Sequence, residues 1–311
     1  MRVFVAGASG AIGRPLVRQL LAAGHEVTGM TRRPERAEEI RGAGAEAVVC
    51  DAFDAEALKD AVVTAAPEAV VHLLTALPQH YKPKSDYLSA TNRIRVEGTR
   101  NLVAAAGAAG VRRLVAESIA FAYRPQGGWV KDEAEPLFTD VPGSFGATFG
   151  AVADLERQVL GAEGIEGIVL RYGWLYGSGT YYDRDGQQAE EVMKRRLPIV
   201  GKGTGIFSFV YVEDAASATV AALERGAPGS TYNVVDDEPA PLREWVPVYA
   251  EALGAKPPRH VPLWLARLVA GKDVAASAVG MRGASNAKAR RELGWEPAHP
   301  SWRQGFRDAL A

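Results

Sequence analysis

Through the first half of the chain, short apolar runs alternate with amphipathic stretches. The runs 2–8 (RVFVAGA), 26–32 (EVTGMTR), 45–51 (AEAVVCD), 69–74 (AVVHLL), 112–118 (RRLVAES) and 166–173 (EGIVLRYG) predict strands. Several are apolar throughout, as strands covered on both faces must be. Between them the spacing of apolar positions predicts helices over 12–23, 34–42, 54–65, 86–109 and 147–162. Pro34 fits a first helical turn, and Asp54 fits an N-cap. Repeated β-α-β units of this kind predict an α/β fold with a doubly wound parallel sheet.

After residue 176 the alternation loses its regularity. A polar loop, GSGTYYDRDGQ, precedes a helix at 187–196; FSFVYV reads as a strand, EDAASATVAALERG as a helix and STYNVV as a further strand. The last stretch is helical with proline breaks at 257, 258, 262, 297 and 300. The expected division is a dinucleotide-binding domain over 1–176, rejoined by 207–235, and a smaller interleaved lobe made of 177–206 and 236–311. That lobe would cover the carboxyl ends of the strands, where open α/β sheets take ligands.

Composition removes several other classes. The chain has 311 residues and a formal charge of −1, so nothing in it invites a polyanion or a membrane surface. Its single cysteine, Cys50, sits in an apolar run and reads as a small buried hydrophobe, which excludes an intrachain disulfide and points to a cytoplasmic protein. The five histidines are scattered, without the spacing of a metal site. The N-terminal apolar run is shorter than a secretory h-region and enters a glycine turn, and Arg267, Lys272 and Asp273 interrupt the most apolar late segment.

The first chemical signal is GASGAIG, Gly7 to Gly13, between the first predicted strand and the first predicted helix. In that position Gly7 permits a tight turn, Gly10 lets backbone approach a pyrophosphate, and Gly13 permits close helix–strand packing; Ser9, Ala11 and Ile12 complete the loop. About 20 residues further on, NAD sites place a carboxylate against the ribose 2′-hydroxyl. Here stand Arg32 and Arg33, two guanidiniums suited to a 2′-phosphate, so NADP(H) is expected over NAD(H). The same pair would otherwise be solvated arginines at a helix start. Asp51, followed by Ala52, is placed to accept from an adenine amino group or to form an Asx turn.

Taken together, these segments resemble the extended or atypical short-chain dehydrogenase/reductases, the NAD-dependent epimerase/dehydratase family, over nearly the whole chain. GASGAIG resembles the family's GxxGxxG, VVHLLTA its HLAA segment, and VEGTRNLVAAA its NVxGTxNLLxAA helix. LRYGWLYGSG is similar to LRPxNVYGPG, FVYVEDAASA to FVHVDDVAxA, and YNVVDDEPAPLREW and AKARRELGWEP to its C-terminal signatures. The resemblance implies a Rossmann-type fold, with Leu73, Leu74, Thr75, Tyr172 and Gly173 added to the cofactor contacts. It also implies a homodimer formed through helices 86–109 and 147–162.

The family's reaction uses a serine or threonine near the end of the fifth strand and a YxxxK pair on the following helix. ESIAFAY aligns Ser118 with that hydroxyl, and Glu156 matches the glutamate that closes YxxxKxxxE. Counting back puts Thr148 where the tyrosine belongs and Val152 where the lysine belongs. An aliphatic alcohol is a poor general acid, and a valine cannot lower a neighbour's pKa. A displaced donor is therefore expected, Tyr123 first, then Tyr176, Tyr181 and Tyr182, with Ser118 and Thr148 holding a substrate oxygen. Arg95, where the family has asparagine, would hold a water or lie exposed.

Nucleotide-sugar members resemble one another in an asparagine and an arginine near the diphosphate; Trp174 and Phe207 take those places here. With Phe121, Trp129, Tyr176, Tyr181 and Tyr182 they predict an apolar wall for an aromatic or apolar ligand. The expected function is NADP(H)-dependent oxidoreduction at a carbonyl or hydroxyl of a small metabolite. A non-redox epimerase or dehydratase with bound cofactor, and a non-catalytic NAD(P) sensor, are the alternatives.

Overall fold

The computed structural model describes residues 1–78, 80, 81, 86–141, 143–269 and 271–310. Seven strands form one parallel sheet: β1 (Arg2–Ala6), β2 (Glu26–Thr31), β3 (Glu46–Val49), β4 (Ala69–His72), β5 (Arg113–Ile119), β6 (Glu166–Tyr172) and β7 (Thr231–Val234). Their spatial order is β3-β2-β1-β4-β5-β6-β7, so the winding reverses between β1 and β4. Val3 of β1 lies opposite Val27 on one side and Ala69 on the other. A ligand crevice is expected beyond the carboxyl ends at this reversal.

Alternation along β1 accounts for the two cores. Val3 and Val5 pack with Leu16 and Leu20 of α1 (Gly13–Ala22) and with Ile40 of α2 (Pro34–Gly42). Phe4 and Ala6 face the other way, onto Leu58 and Val62 of α3 (Ala55–Ala65). Asp54 caps α3 as expected, accepting from Ala57 N–H at 3.1 Å. Burying a side chain of this size is worth about 1.5–3 kcal/mol. Both faces of the sheet thus exclude water, and the strands are as apolar as that requires.

The predicted helix 86–109 is divided. Its described helical part is α4 (Ser89–Arg93), a π turn at Ile94–Gly98, and α5 (Thr99–Ala108). The next helix, α6 (Gly143–Leu160), starts before the predicted residue 147. After it, α7 (Gln187–Met193) stops short of 196, where Arg195 adopts a positive φ of 55°. The segment FSFVYV is two strands rather than one. Ile206–Phe207 pairs antiparallel with Ala240–Pro241, and Phe209–Tyr211 pairs parallel with Trp174–Tyr176. Ser208 makes the change of partner, its carbonyl accepting from Trp174 N–H at 2.8 Å while its hydroxyl accepts from Ala284 N–H at 2.9 Å.

The chain then returns to the sheet through α8 (Val212–Arg225), which packs on α1, and through β7. Beyond β7 lie α9 (Leu242–Ala252), α10 (Leu263–Val269), α11 (Lys272–Gly280), α12 (Ala287–Leu293) and α13 (Trp302–Leu310). An aromatic core joins α9 and α13 to the 174–211 segment, with Phe209, Trp245, Tyr249 and Phe306 at its centre. Two carboxylates tie this part down. Asp214 accepts from the amides of Ala298 and His299 at 2.8 and 2.9 Å, and Asp236 accepts from Trp302 N–H at 2.9 Å. Among the described residues no helix is long and apolar enough to cross a membrane.

Candidate active site

The glycine loop closes β1 onto α1 with almost no room to spare. Gly7 has φ 97°, and a Cβ there would come within 2.7 Å of the Leu73 carbonyl oxygen. A Cβ on Gly13 would lie 2.2 Å from the Gly7 oxygen. At Gly10 the nearest atom to such a Cβ is the same oxygen at 3.2 Å. No side chain caps α1 at Ile12, so the helix begins with its amides available to an anion. The loop fits a dinucleotide pyrophosphate, which would lie over Gly10, Ala11 and Ile12.

Around the loop, Ser9 Oγ lies 3.0 Å from Thr31 Oγ1, which also accepts from Arg33 N–H at 3.3 Å. Arg32 and Arg33 are exposed at the end of β2. Asp51 spends one carboxylate oxygen on Phe53 N–H at 3.0 Å, an Asx turn, and the Ala52 carbonyl accepts from Asn101 at 2.9 Å. Leu73 is buried, Leu74 half-buried and Thr75 exposed on the chain leaving β4. At the end of β6, Gly173 has no space for a side chain, since a Cβ would meet the Ser208 oxygen at 2.5 Å. The Tyr172 hydroxyl is 2.6 Å from Thr219, and burial holds its pKa above the ordinary value.

On the reacting side several expected roles dissolve into packing. Ser118 is buried and donates to Glu156 Oε1 at 2.6 Å, so its hydroxyl is committed inside the protein. Arg171 binds both oxygens of Glu156, at 2.8 and 2.7 Å, and donates to the Tyr123 oxygen at 2.9 Å. Tyr123 in turn donates to Asn233 Oδ1 at 2.7 Å. Burial pushes the Tyr123 pKa up to about 12, against the pull of the Arg171 charge. A phenol so bound and so weakly acidic is a joint between β5, β6 and β7, which corrects its expected place as proton donor.

The other tyrosines fare similarly. Tyr176 and Tyr182 are buried in the aromatic core of the C-terminal lobe, with pKa values raised by burial. Tyr181 donates to the Pro78 carbonyl at 2.7 Å, and its pKa too is raised by burial. Trp129 is 46% exposed, with Arg282 stacked over its ring, so it lies on the surface. Phe207 is buried against Trp245. Phe121 and Trp174 remain half-buried and stack on each other, centroids 4.1 Å apart at 15°.

Val152 is embedded in an apolar cluster with Ile119, Ala122, Phe121 and Phe149. Thr148, one turn earlier, accepts from Asn92 Nδ2 at 3.2 Å. Two charged residues stand close by, Arg95, expected to hold a water or lie exposed, and Glu117, which sequence reasoning passed over. Arg95, far from lying exposed, is 5% accessible on the π turn, and its Nε is 3.9 Å from a carboxylate oxygen of Glu117, itself 8% accessible. A glutamate inside an otherwise apolar strand was the available signal. His72 bonds Thr99 at 2.9 Å, and burial, with the Arg95 charge, lowers its pKa to about 4.

Residues 3–235 match the NAD dependent epimerase/dehydratase family. The chain belongs to that family. A 3-diazoavenalumate denitrifying reductase from Streptomyces sp is 50% identical over 307 residues, 98% of this chain and 99% of that protein. A 2-alkyl-3-oxoalkanoate reductase from Stenotrophomonas maltophilia is 31% identical, over 82% of this chain and 76% of that protein. The UDP-glucose 4-epimerase of Thermus thermophilus, solved with NAD, superposes with a TM-score of 0.75 at 26% identity, covering 100% and 98% of the two chains. As a member of the family, the protein is an NAD(P)-dependent oxidoreductase with a nicotinamide cofactor.

Proposed function

We propose that this enzyme transfers hydride from NADPH to an aromatic substrate bearing a diazo group, which leaves as dinitrogen. The observation that carries the reading is the helix α6 itself, with Thr148 and Val152 in place of an acid and its cation. Carbonyl reduction creates an alkoxide that must be protonated. Replacement of a diazonium by hydride creates none: ArN2⁺ and NADPH give ArH, N2 and NADP⁺, with charge balanced and no proton required. A lysine ammonium would moreover repel a cationic substrate.

The rest of the site agrees with this division of labour. Phe121 and Trp174 form a flat stacked platform suited to an arene. Among the described residues, Tyr123 and Tyr181 give their hydroxyls to protein acceptors and burial raises their pKa values, which argues against either as a replacement donor. The Streptomyces relative, a 3-diazoavenalumate denitrifying reductase, supplies the diazo substrate class. Arg32 and Arg33 support the preference for the 2′-phosphate. The helical segments 86–109 and 147–162 are read as the face of a homodimer, which sedimentation would test.

The deciding experiment supplies a para-methoxyarenediazonium, which stays cationic, labelled with ¹⁵N and measures ¹⁵N2 release against NADPH consumption. One-to-one release supports the reading. NADPH oxidation on β-ketoesters, with no dinitrogen from any diazo arene, would favour the second reading, carbonyl reduction. That reading rests on the 2-alkyl-3-oxoalkanoate reductase and would use Asn92 and Thr148 to hold the oxygen.

A further inference from the structure

Three buried polar atoms near the carboxyl ends of β4 and β5 have no hydrogen-bond partner among the described residues: Asn92 Oδ1, Arg95 Nε and Glu117 Oε1. Leaving such atoms unpaired costs about 1–3 kcal/mol each, more for charged groups. Three of them near one place point to a missing polar ligand. Asn92 is already bonded to Thr148, and Arg95 and Glu117 face each other across 3.9 Å, too far for a hydrogen bond. The separation leaves each with capacity toward a third group.

Their position in the fold says which group. Ala116 pairs with His72, the last residue of β4, so Glu117 begins the stretch of β5 that runs past it. The adenosine end of a dinucleotide lies toward β2, where Arg32 and Arg33 stand, so its other end crosses the reversal between β1 and β4 toward β5. Arg95 is directed there by the π turn Ile94–Gly98, a one-residue widening of a helix that recurs at functional sites. On α6, Val152 can offer that end no hydrogen bond.

We infer that Arg95 and Glu117 together bind the ribose diol of the nicotinamide half, Glu117 accepting from the hydroxyls and Arg95 donating to them. The pair would hold that ribose without placing a net charge at the site. The inference rests on the dinucleotide-binding part of the proposed function and does not depend on the substrate.

The experiment is a binding comparison on the purified full chain, with no acceptor substrate present. NADPH and NADH contain the nicotinamide ribose; ADP and 2′,5′-ADP lack it. Arg95→Lys, Glu117→Gln and the double variant Arg95→Met/Glu117→Leu, which leaves no unpaired buried charge, are titrated by calorimetry with all four ligands. The double variant should bind the dinucleotides roughly 10- to 100-fold more weakly and the fragments within about 2-fold of wild type. Glu117→Gln should fall between, and Arg95→Lys should recover part of the loss. Unchanged dinucleotide affinity in the double variant would overturn the inference, leaving a water-bridged structural pair. Equal weakening of dinucleotides and fragments would overturn it as well. Dinitrogen release by wild-type enzyme is measured separately, so failure of either idea leaves the other standing.

Discussion

The two ends of the crevice are built from different materials. At the glycine loop the material is backbone: glycines that touch carbonyl oxygens and an uncapped helix start. Between β5 and α6 it is side chains, a buried chain from Ser118 through Glu156 and Arg171 to Tyr123 and Asn233. Backbone geometry tolerates little substitution, whereas a side-chain constellation changes chemistry one residue at a time. The backbone part of such a site is therefore the harder part to change.

The largest expected effect probes the backbone end. Gly13→Ala places a Cβ inside the Gly7 carbonyl, so dinucleotide affinity should fall by about 100-fold or more, with overpacking of roughly 1–3 kcal/mol in a urea melt. Tight NADPH binding by this variant would break the assignment of the loop. On the other side, Glu156→Ala strands a buried Arg171 guanidinium and should cost about 3–5 kcal/mol of unfolding free energy. A loss below 1 kcal/mol would mean that the network is slack and the side-chain end adaptable.

A pH measurement sharpens the same contrast. His72 has an ordinary pKa of 6.5 and a folded value of about 4, lowered first by burial. Its contribution is therefore complete above pH 6.5 and is lost as pH falls toward 4, to the extent of roughly 3 kcal/mol. Burial raises the Glu117 pKa, which opposes this by favouring the folded state as pH falls. The test compares wild type with His72→Gln, whose stability should decline less between pH 6.5 and 4. Matching slopes would show that His72 gains no proton on unfolding.

The smallest effect concerns Tyr123. Tyr123→Phe removes one hydroxyl from the buried network, so stability should drop by about 1–2 kcal/mol while kcat stays within about 3-fold. A hundredfold fall in kcat with an intact fold would restore the tyrosine as acid. It would also end the contrast between a fixed cradle and an emptied acid–base site.

The sheet was legible because its central strands, β1, β4 and β5, are buried along nearly their whole length and alternate with amphipathic helices. The glycine loop was legible because close approach leaves only one residue type. Less could be read where one residue serves two neighbours. Ser208 divides FSFVYV between two partners, and nothing in local alternation marks that division. The substrate wall was overcounted for a related reason: Tyr176 and Tyr182 look like pocket aromatics in sequence, but α9 and α13 close over them. Ser118 occupies the strand position expected from the family, yet the hydroxyl points to a glutamate on α6. The burial of Arg95 beside Glu117 was not foreseen, because it lies in a pairing across 22 residues and in a π turn that helical periodicity conceals.

One feature of the C-terminal lobe bears on the order in which the enzyme comes into being. Gly305 on α13 lies so close to Tyr176 that a Cβ there would overlap the phenol, and Phe306 meets the same ring edge-on at 5.1 Å. The wall behind Trp174 thus depends on a helix made some 130 residues later, as does the anchoring of Asp236 on Trp302. During synthesis β1 to β6 leave the ribosome well before α13, so the wall behind Trp174 is among the last parts of the molecule to be closed.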